Sequence, residues 1–206
     1  MRDTKRIGID FDNTLIDYDE VFRALARERG WVGADFRGGK DAVRRVVRGL
    51  PEGETQWQRL QSAVYGQGIA QAVMFEGAEA FLRGARAAGH RVLIVSHKTE
   101  YGHFDPARIN LRDAALAWME QQGFFDDARL GVSVENVRFT QTRTEKIGAI
   151  GRLDVTHFID DLPEVLDDPE FPPGVVKILF TNGASSRGAR PDAFAHWRDI
   201  ADAVLR

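Results

Sequence analysis

The sequence predicts an α/β protein in which a doubly wound parallel sheet carries a small α-helical cap insert. Short apolar runs rich in Val, Ile and Phe recur along the chain, and stretches with helical periodicity lie between them. Because the apolar runs lack polar alternation, they are typical of strands that are buried on both faces. Strands that alternate with helices favour a parallel sheet covered by helices on its two sides.

Five apolar runs are predicted to be strands, and three further segments are predicted to be core helices. The strands are predicted at residues 6–9, 91–95, 137–139, 157–159 and 175–180. The helices are predicted at residues 78–88, 107–122 and 192–205. The second of these helices follows Asp105-Pro106, which suits an N-cap and a first helical turn, and it is closed by Gly123.

Residues 19–74 interrupt the alternation, because they contain helical patterns and no convincing strand. The helices are predicted at residues 20–29, 41–48 and 55–74, with glycine- and proline-containing breaks between them. We therefore predict a helical insert at 19–74 and a core formed by 1–18 and 75–206.

Composition limits the classes of protein to which the chain can belong. Its 206 residues suit one domain, or one domain with a small insert, at roughly 100–200 residues per domain. A net charge of −3 gives no reason to expect nucleic acid or anionic membrane as a partner. The absence of cysteine excludes a disulfide framework, a thiolate metal site and a cysteine nucleophile. No apolar leader or bilayer-spanning stretch is visible, so we expect a cytoplasmic protein; its oligomeric state is left open.

The first strand ends in a sequence that places two carboxylates on one side of the chain. Asp10 and Asp12 are separated by one residue, and in an extended chain such residues point the same way. Their mutual repulsion would be relieved by a divalent cation, and oxygen ligands suit Mg²⁺. The alternative is a polar strand end whose acids only shape a turn.

Further polar residues follow the other predicted strands. Ser96 follows the second strand and can offer a hydroxyl to phosphate oxygens, although it could equally be a helix or turn cap. Lys146 opens a helix after the third strand and could neutralise phosphate, unless it is simply solvated. Asp160 and Asp161 follow the fourth strand, where acids are costly without a cation or hydrogen bonds. In a doubly wound sheet, ligands bind outside the carboxyl ends of the strands, so these groups should meet.

These residues resemble the four motifs of the haloacid dehalogenase superfamily, over residues 7–180. Asp10-Phe11-Asp12-Asn13-Thr14-Leu15 looks like the first motif, Ser96 stands at the second, Lys146 at the third, and Asp160-Asp161 at the fourth. The resemblance implies a Rossmann-like core with a cap between the first two motifs.

The same resemblance implies a role for each residue. Asp10 would be the nucleophile and a metal ligand, and Asp12 the acid and base, with its carbonyl on the metal. Ser96 and Lys146 would hold the phosphoryl group. Asp160 would bind Mg²⁺ directly, and Asp161 directly or through water. Thr14, His97 and Lys98 are also predicted to contact the substrate. Glu164 is a weaker candidate for a metal ligand.

Asp12 favours a phosphatase over a dehalogenase, because a phosphate ester needs a proton on its leaving oxygen and a departing halide does not. We expect a small phosphorylated metabolite, a sugar phosphate or a nucleotide, as the substrate. The alternatives are a phosphosugar mutase or other phosphotransferase, a catalytically silent phosphate binder and, less favoured, a protein phosphatase. The loop at 97–105 follows the second motif and could contact the leaving group through Lys98, Tyr101 or His103, or could be an ordinary surface loop.

Overall fold

The computed structural model describes residues 4–183 and 190–206. Residues 1–3 and 184–189, which the predicted core range includes, lie outside the described residues. The strands are β1 (Arg6–Ile9), β2 (Ile16–Asp17), β3 (Val73–Met74), β4 (Arg91–His97), β5 (Val137–Thr140), β6 (His157–Asp160), β7 (Val176–Phe180) and β8 (Ala193–Phe194). The α-helices are α1 (Asp19–Glu28), α2 (Lys40–Arg48), α3 (Gly53–Tyr65), α4 (Ala78–Ala87), α5 (Leu111–Gln121), α6 (Arg143–Arg152), α7 (Pro163–Leu166) and α8 (Trp197–Leu205).

Six strands form a parallel sheet in the order β5-β4-β1-β6-β7-β8. The order runs outward from β1 in both directions, so β1 lies between the two halves of a doubly wound sheet. Helices flank the sheet, which confirms the predicted α/β class. Strands β2 and β3 form a separate two-stranded sheet.

The chain divides into two compact units. The first comprises Met1–Ile16, Met74–Lys98 and Gln122–Arg206, and it contains the six-stranded sheet. The second comprises Asp17–Val73 and Thr99–Gln121, and it contains α1, α2, α3 and α5.

The second unit is held together by aromatic packing and by hydrogen bonds across the chain. The rings of Phe22 and Trp57 stack with their centroids 5.2 Å apart. The Trp118 indole N–H donates to the carbonyl of Ala72 at 3.0 Å, and the Ser62 hydroxyl donates to the carbonyl of His103 at 2.7 Å. These bonds tie Thr99–Gln121 to the insert, whereas our sequence analysis assigned 75–206 as a whole to the core.

The element bounds differ from the sequence predictions where short or irregular structure occurs. The helix predicted at 55–74 ends at Tyr65, and a 3₁₀ helix at Gln67–Gln71 and strand β3 follow it. The helix predicted at 107–122 begins only at Leu111, because the Asp105 carboxylate accepts from the backbone N–H groups of Ala107 and Ile109 and shapes a turn there. The helix predicted at 192–205 is preceded by β8 and begins at Trp197.

The core of the first unit packs against the central strands. Ile7 and Ile9 of β1 are fully buried, and so is Phe158 of β6. Between the two isoleucines, Gly8 gives Phe158 the room to lie across the strand. Among the described residues, no helix has the length and apolar character needed to cross a bilayer.

Replacing Gly8 with alanine should destabilise the protein. A Cβ at this position would lie 2.6 Å from Cδ2 of Phe158 and 3.2 Å from Cγ1 of Val155, both in a packed core. We expect Gly8→Ala to lower the free energy of unfolding by about 1–3 kcal/mol in urea titrations. Gly33→Ala is the control, because its Cβ would meet no atom within 4 Å. Equal stability of the two variants would contradict this account of Gly8.

Candidate active site

The strand register brings three polar residues to one edge of the sheet. Ile9 of β1 lies opposite Ile94 of β4 on one side and Ile159 of β6 on the other. The backbone N–H of Asp10 donates to the carbonyl of Ile159 at 2.9 Å. Asp10, Ser96 and Asp160 therefore follow the paired isoleucines at the carboxyl ends of three adjacent strands, as the sequence analysis predicts for them.

Helix α6 adds a buried lysine to this edge. The helix begins after Thr142, whose hydroxyl accepts from the backbone N–H of Glu145 and so caps its first turn. In that turn, Lys146 Nζ lies 2.6 Å from Asp10 Oδ1 and 2.6 Å from Asp160 Oδ2. Only 2% of Lys146 is exposed, so one ammonium group bridges two carboxylates in the protein interior.

Burial and the Lys146–carboxylate attraction act in opposite directions on the pKa values of Lys146 and Asp160. Burial lowers the pKa of Lys146, but the charges of Asp10 and Asp160 outweigh it and leave that pKa above its ordinary value. Burial raises the pKa of Asp160, and the ammonium of Lys146 only partly offsets this. The Asp160 carboxylate also accepts from the backbone N–H of Leu162 at 3.0 Å. Two buried carboxylates thus share one ammonium group. If both are ionised, one negative charge is left that a further cation could balance.

Three carboxylates are close enough to hold that cation. Asp10, Asp160 and Asp161 each present an oxygen, and the three oxygens lie within 4.8 Å of one another. Such an all-oxygen donor set fits Mg²⁺. The Thr14 hydroxyl donates to Asp161 Oδ1 at 3.3 Å, so this predicted substrate residue contacts a carboxylate. Glu164 is exposed in the first turn of α7 and does not belong to this group.

Ser96 has a buried hydroxyl that is suited to a ligand. Only 1% of the residue is exposed, and within the described part of the chain its Oγ has no hydrogen-bond partner. An unsatisfied buried hydroxyl is costly, and a bound phosphoryl oxygen would satisfy it.

Asp12 is paired with a second buried lysine. Lys98 Nζ lies 3.0 Å from Asp12 Oδ1 and 2.8 Å from Asp12 Oδ2. Our sequence analysis put Lys98 among the substrate contacts and did not foresee this pair. The sequence did contain a signal for it. Lys98 lies two residues after Ser96, Asp12 lies two residues after Asp10, and strands β4 and β1, which precede them, are neighbours.

His97 is placed differently from Lys98. It is exposed, and its Nε2 lies 2.8 Å from the carbonyl oxygen of Gln141. The structure therefore does not bring His97 into contact with the carboxylates as it does Lys98. Tyr101 and His103 belong to the second unit, where Tyr101 forms a bridge with Asn110.

Comparison with known proteins identifies the fold. No protein-family model matches the chain, and no curated protein matches its sequence. Among solved structures, protein tyrosine kinase A from Mycobacterium tuberculosis matches with a TM-score of 0.62 and 16% identity, over 98% of this chain and 99% of that one. A predicted phosphatase from Clostridium acetobutylicum matches with a TM-score of 0.60 and 12% identity, over 98% of each chain. A HAD-superfamily hydrolase from Geobacter sulfurreducens matches with a TM-score of 0.56 and 12% identity, over 98% of this chain and 96% of that one.

The chain has the fold of the haloacid dehalogenase superfamily of hydrolases. This confirms, for the fold, the resemblance that the four motifs indicate. Structures described as dehalogenases share the haloacid dehalogenase-like fold too, so the fold is common to enzymes with different reactions. The choice of reaction therefore rests on the residues of the site.

Removing the charge of Lys146 should destabilise the haloacid dehalogenase-like core. In Lys146→Met, the buried carboxylates of Asp10 and Asp160 would lose their shared counter-ion. We expect a loss of about 3–5 kcal/mol in the free energy of unfolding, measured in urea with a metal chelator present. Lys177→Met is the control, since Lys177 is half-buried and lies over the Phe171 ring at 5.0 Å; it should lose no more than about 1 kcal/mol. A Lys146→Met protein as stable as the control would contradict the role of this ammonium.

Proposed function

We propose that the protein is a Mg²⁺-dependent phosphomonoester hydrolase that acts on a small phosphorylated metabolite, a sugar phosphate or a nucleotide, through an aspartyl-phosphate intermediate. The observation that carries this proposal is the shared edge at which Asp10, Asp160 and Asp161 surround a possible cation position beside Lys146 and Ser96. An aspartate nucleophile, positive charge and a hydroxyl donor are the groups that phosphoryl transfer requires.

Charge supports the choice of a divalent cation. The site combines four carboxylates, those of Asp10, Asp12, Asp160 and Asp161, with the ammonium groups of Lys98 and Lys146. When all are ionised, the carboxylates outnumber the ammonium groups by two. A bound Mg²⁺ would supply the matching positive charge and reduce repulsion between a phosphate and the carboxylate that attacks it.

The residues of the chain would act in two half-reactions. In the first, an Asp10 oxygen attacks phosphorus, the bond from phosphorus to the ester oxygen breaks, and Asp12 gives that oxygen a proton. In the second, Asp12 takes a proton from water as the water oxygen attacks phosphorus, and the bond to Asp10 breaks. Lys146 and Ser96 would hold the phosphoryl oxygens throughout.

Asp12 supports hydrolysis of a phosphate ester rather than of a carbon–halogen bond. An alkoxide is a poor leaving group and needs a proton, whereas a halide leaves as an anion without one. A second carboxylate near the nucleophile would serve no purpose in the departure of a halide. Phosphate release from an aryl phosphate, with no halide release from a haloacid, is the expected outcome.

Two alternatives remain distinguishable by the same assay. A phosphotransferase would pass the phosphoryl group to an acceptor hydroxyl, so added sugar phosphates would exchange phosphate between positions. A silent binder would bind phosphorylated metabolites without turnover. Phosphate release that requires Mg²⁺ supports the hydrolase.

Asp10→Asn should abolish turnover and leave the fold intact. The amide cannot attack phosphorus, so we expect kcat on an aryl phosphate to fall by at least about a thousandfold. Circular dichroism would monitor the fold. Asp154→Asn is the control, because its carboxylate is exposed and pairs with Arg6. Substantial activity in a clean Asp10→Asn preparation would refute the proposed nucleophile.

Asp160→Asn should weaken Mg²⁺ binding. The substitution keeps the side-chain shape and removes one carboxylate from the proposed cation position. We expect the Kd for Mg²⁺, measured by isothermal titration calorimetry, to rise by at least about tenfold, the loss typical even of outer-shell partners of a metal. Glu164→Gln is the control and should bind Mg²⁺ as the native chain does. The reverse pattern would assign the fourth-motif ligand to Glu164.

A further inference from the structure

Lys98 is a buried lysine for which the proposed mechanism has no direct task. It follows the last residue of β4, and only 2% of its side chain is exposed. A lysine ammonium is expensive to bury unless it is paired and hydrogen-bonded. Its partner is the Asp12 carboxylate, whose side chain is 17% exposed.

Both ends of Lys98 are held in place. Its backbone N–H donates to the carbonyl of Thr140 at 3.0 Å, which fixes the chain beside the end of β5. Its ammonium group lies 5.7 Å from the centre of the Phe11 ring, and Phe11 is fully buried. A cation held against an aromatic face and against two carboxylate oxygens has little freedom to move.

The two buried lysines of the site therefore contact different carboxylates. Lys146 contacts Asp10 and Asp160, and Lys98 contacts both oxygens of Asp12. Of the two ammonium groups, that of Lys98 is therefore the one hydrogen-bonded to the carboxylate that would transfer protons.

We propose that Lys98 is a positioning residue that orients the Asp12 carboxylate for proton transfer. This inference rests on the proposed phosphatase function. Asp12 would pass its proton to the leaving oxygen in the first half-reaction and take one from water in the second. In both half-reactions, Lys98 would determine where the Asp12 oxygens lie.

A double-mutant cycle tests whether Lys98 acts through Asp12. In the native background, Lys98→Met should lower kcat on phenyl phosphate by about a hundredfold, the lower range of what a positioned acid or base contributes, with KM nearly unchanged. In an Asp12→Asn background, the same Lys98→Met change should have almost no further effect, because its target is already lost. A further large fall in kcat, or a rise in KM with kcat retained, would overturn the proposal and make Lys98 a phosphoryl contact.

The leaving group provides a second readout. Dinitrophenolate leaves without a proton, so on dinitrophenyl phosphate the first half-reaction of Lys98→Met should stay fast while hydrolysis of the aspartyl-phosphate becomes slow. We therefore expect a burst of about one dinitrophenolate per active site in rapid-quench experiments, and none on phenyl phosphate. Equal loss of rate on both esters without a burst would indicate a purely structural role and reject the proposal.

Controls separate this proposal from the function on which it rests. Lys98→Arg should recover part of kcat, and Lys177→Met should keep native kinetics. If Lys98→Met folds poorly, the double variant removes both charges of the pair together and should be more stable than the single variant.

A native chain that releases no phosphate from either ester with Mg²⁺ would refute the hydrolase and this role with it. An active native chain whose cycle is additive would refute this role alone.

Discussion

The ammonium group of Lys146, enclosed between the carboxylates of Asp10 and Asp160, is the interaction on which the rest of the site depends. Strands β1 and β6 pair directly, so any acids that follow them lie side by side. Both of these acids are almost inaccessible to water, and without a cation their ionised forms could not stay together. Helix α6 delivers that cation because its capped first turn starts at the same edge of the sheet. The structure thus places a single ammonium group between two buried carboxylates.

The two ammonium groups of the site form ion pairs with different carboxylates. One ammonium group is shared by the carboxylate that would attack and the one that would hold the metal, and the other contacts the carboxylate that would move protons. In the proposed mechanism, this division would separate the covalent step at Asp10 from proton transfer at Asp12. The buried Ser96 hydroxyl could bind a ligand, because among the described residues it has no hydrogen-bond partner.

Much of the fold could be predicted because buried parallel strands leave a strong apolar signal. The strand predicted at 6–9 matches β1, and the other four predicted strands differ from the structure by only one or two residues at an end. Strand β8 gave no such signal, because it is only two residues long and so short a segment shows no periodicity. The association of Thr99–Gln121 with the helical insert depends on hydrogen bonds between residues more than 40 positions apart, which no local pattern encodes.

The site shows the same limit. Alternation within a strand indicated that Asp10 and Asp12 face one point, and sheet topology indicated which strand ends would meet. Which lysine contacts which aspartate depends on side-chain packing, so our sequence analysis missed the Lys98–Asp12 and Thr14–Asp161 contacts. Glu164 illustrates the converse, since its spacing suits a metal ligand but the residue is exposed.

The separation of 136 residues between Asp10 and Lys146 has a consequence for biosynthesis. As the chain emerges from the ribosome, β1 appears well before α6, which carries the counter-ion for the carboxylate that ends this strand. Until α6 is available, packing β1 into a collapsed core would bury the Asp10 carboxylate without its counter-ion, which costs free energy. We therefore expect β1 to complete its packing only after β4, α6 and β6 are all available.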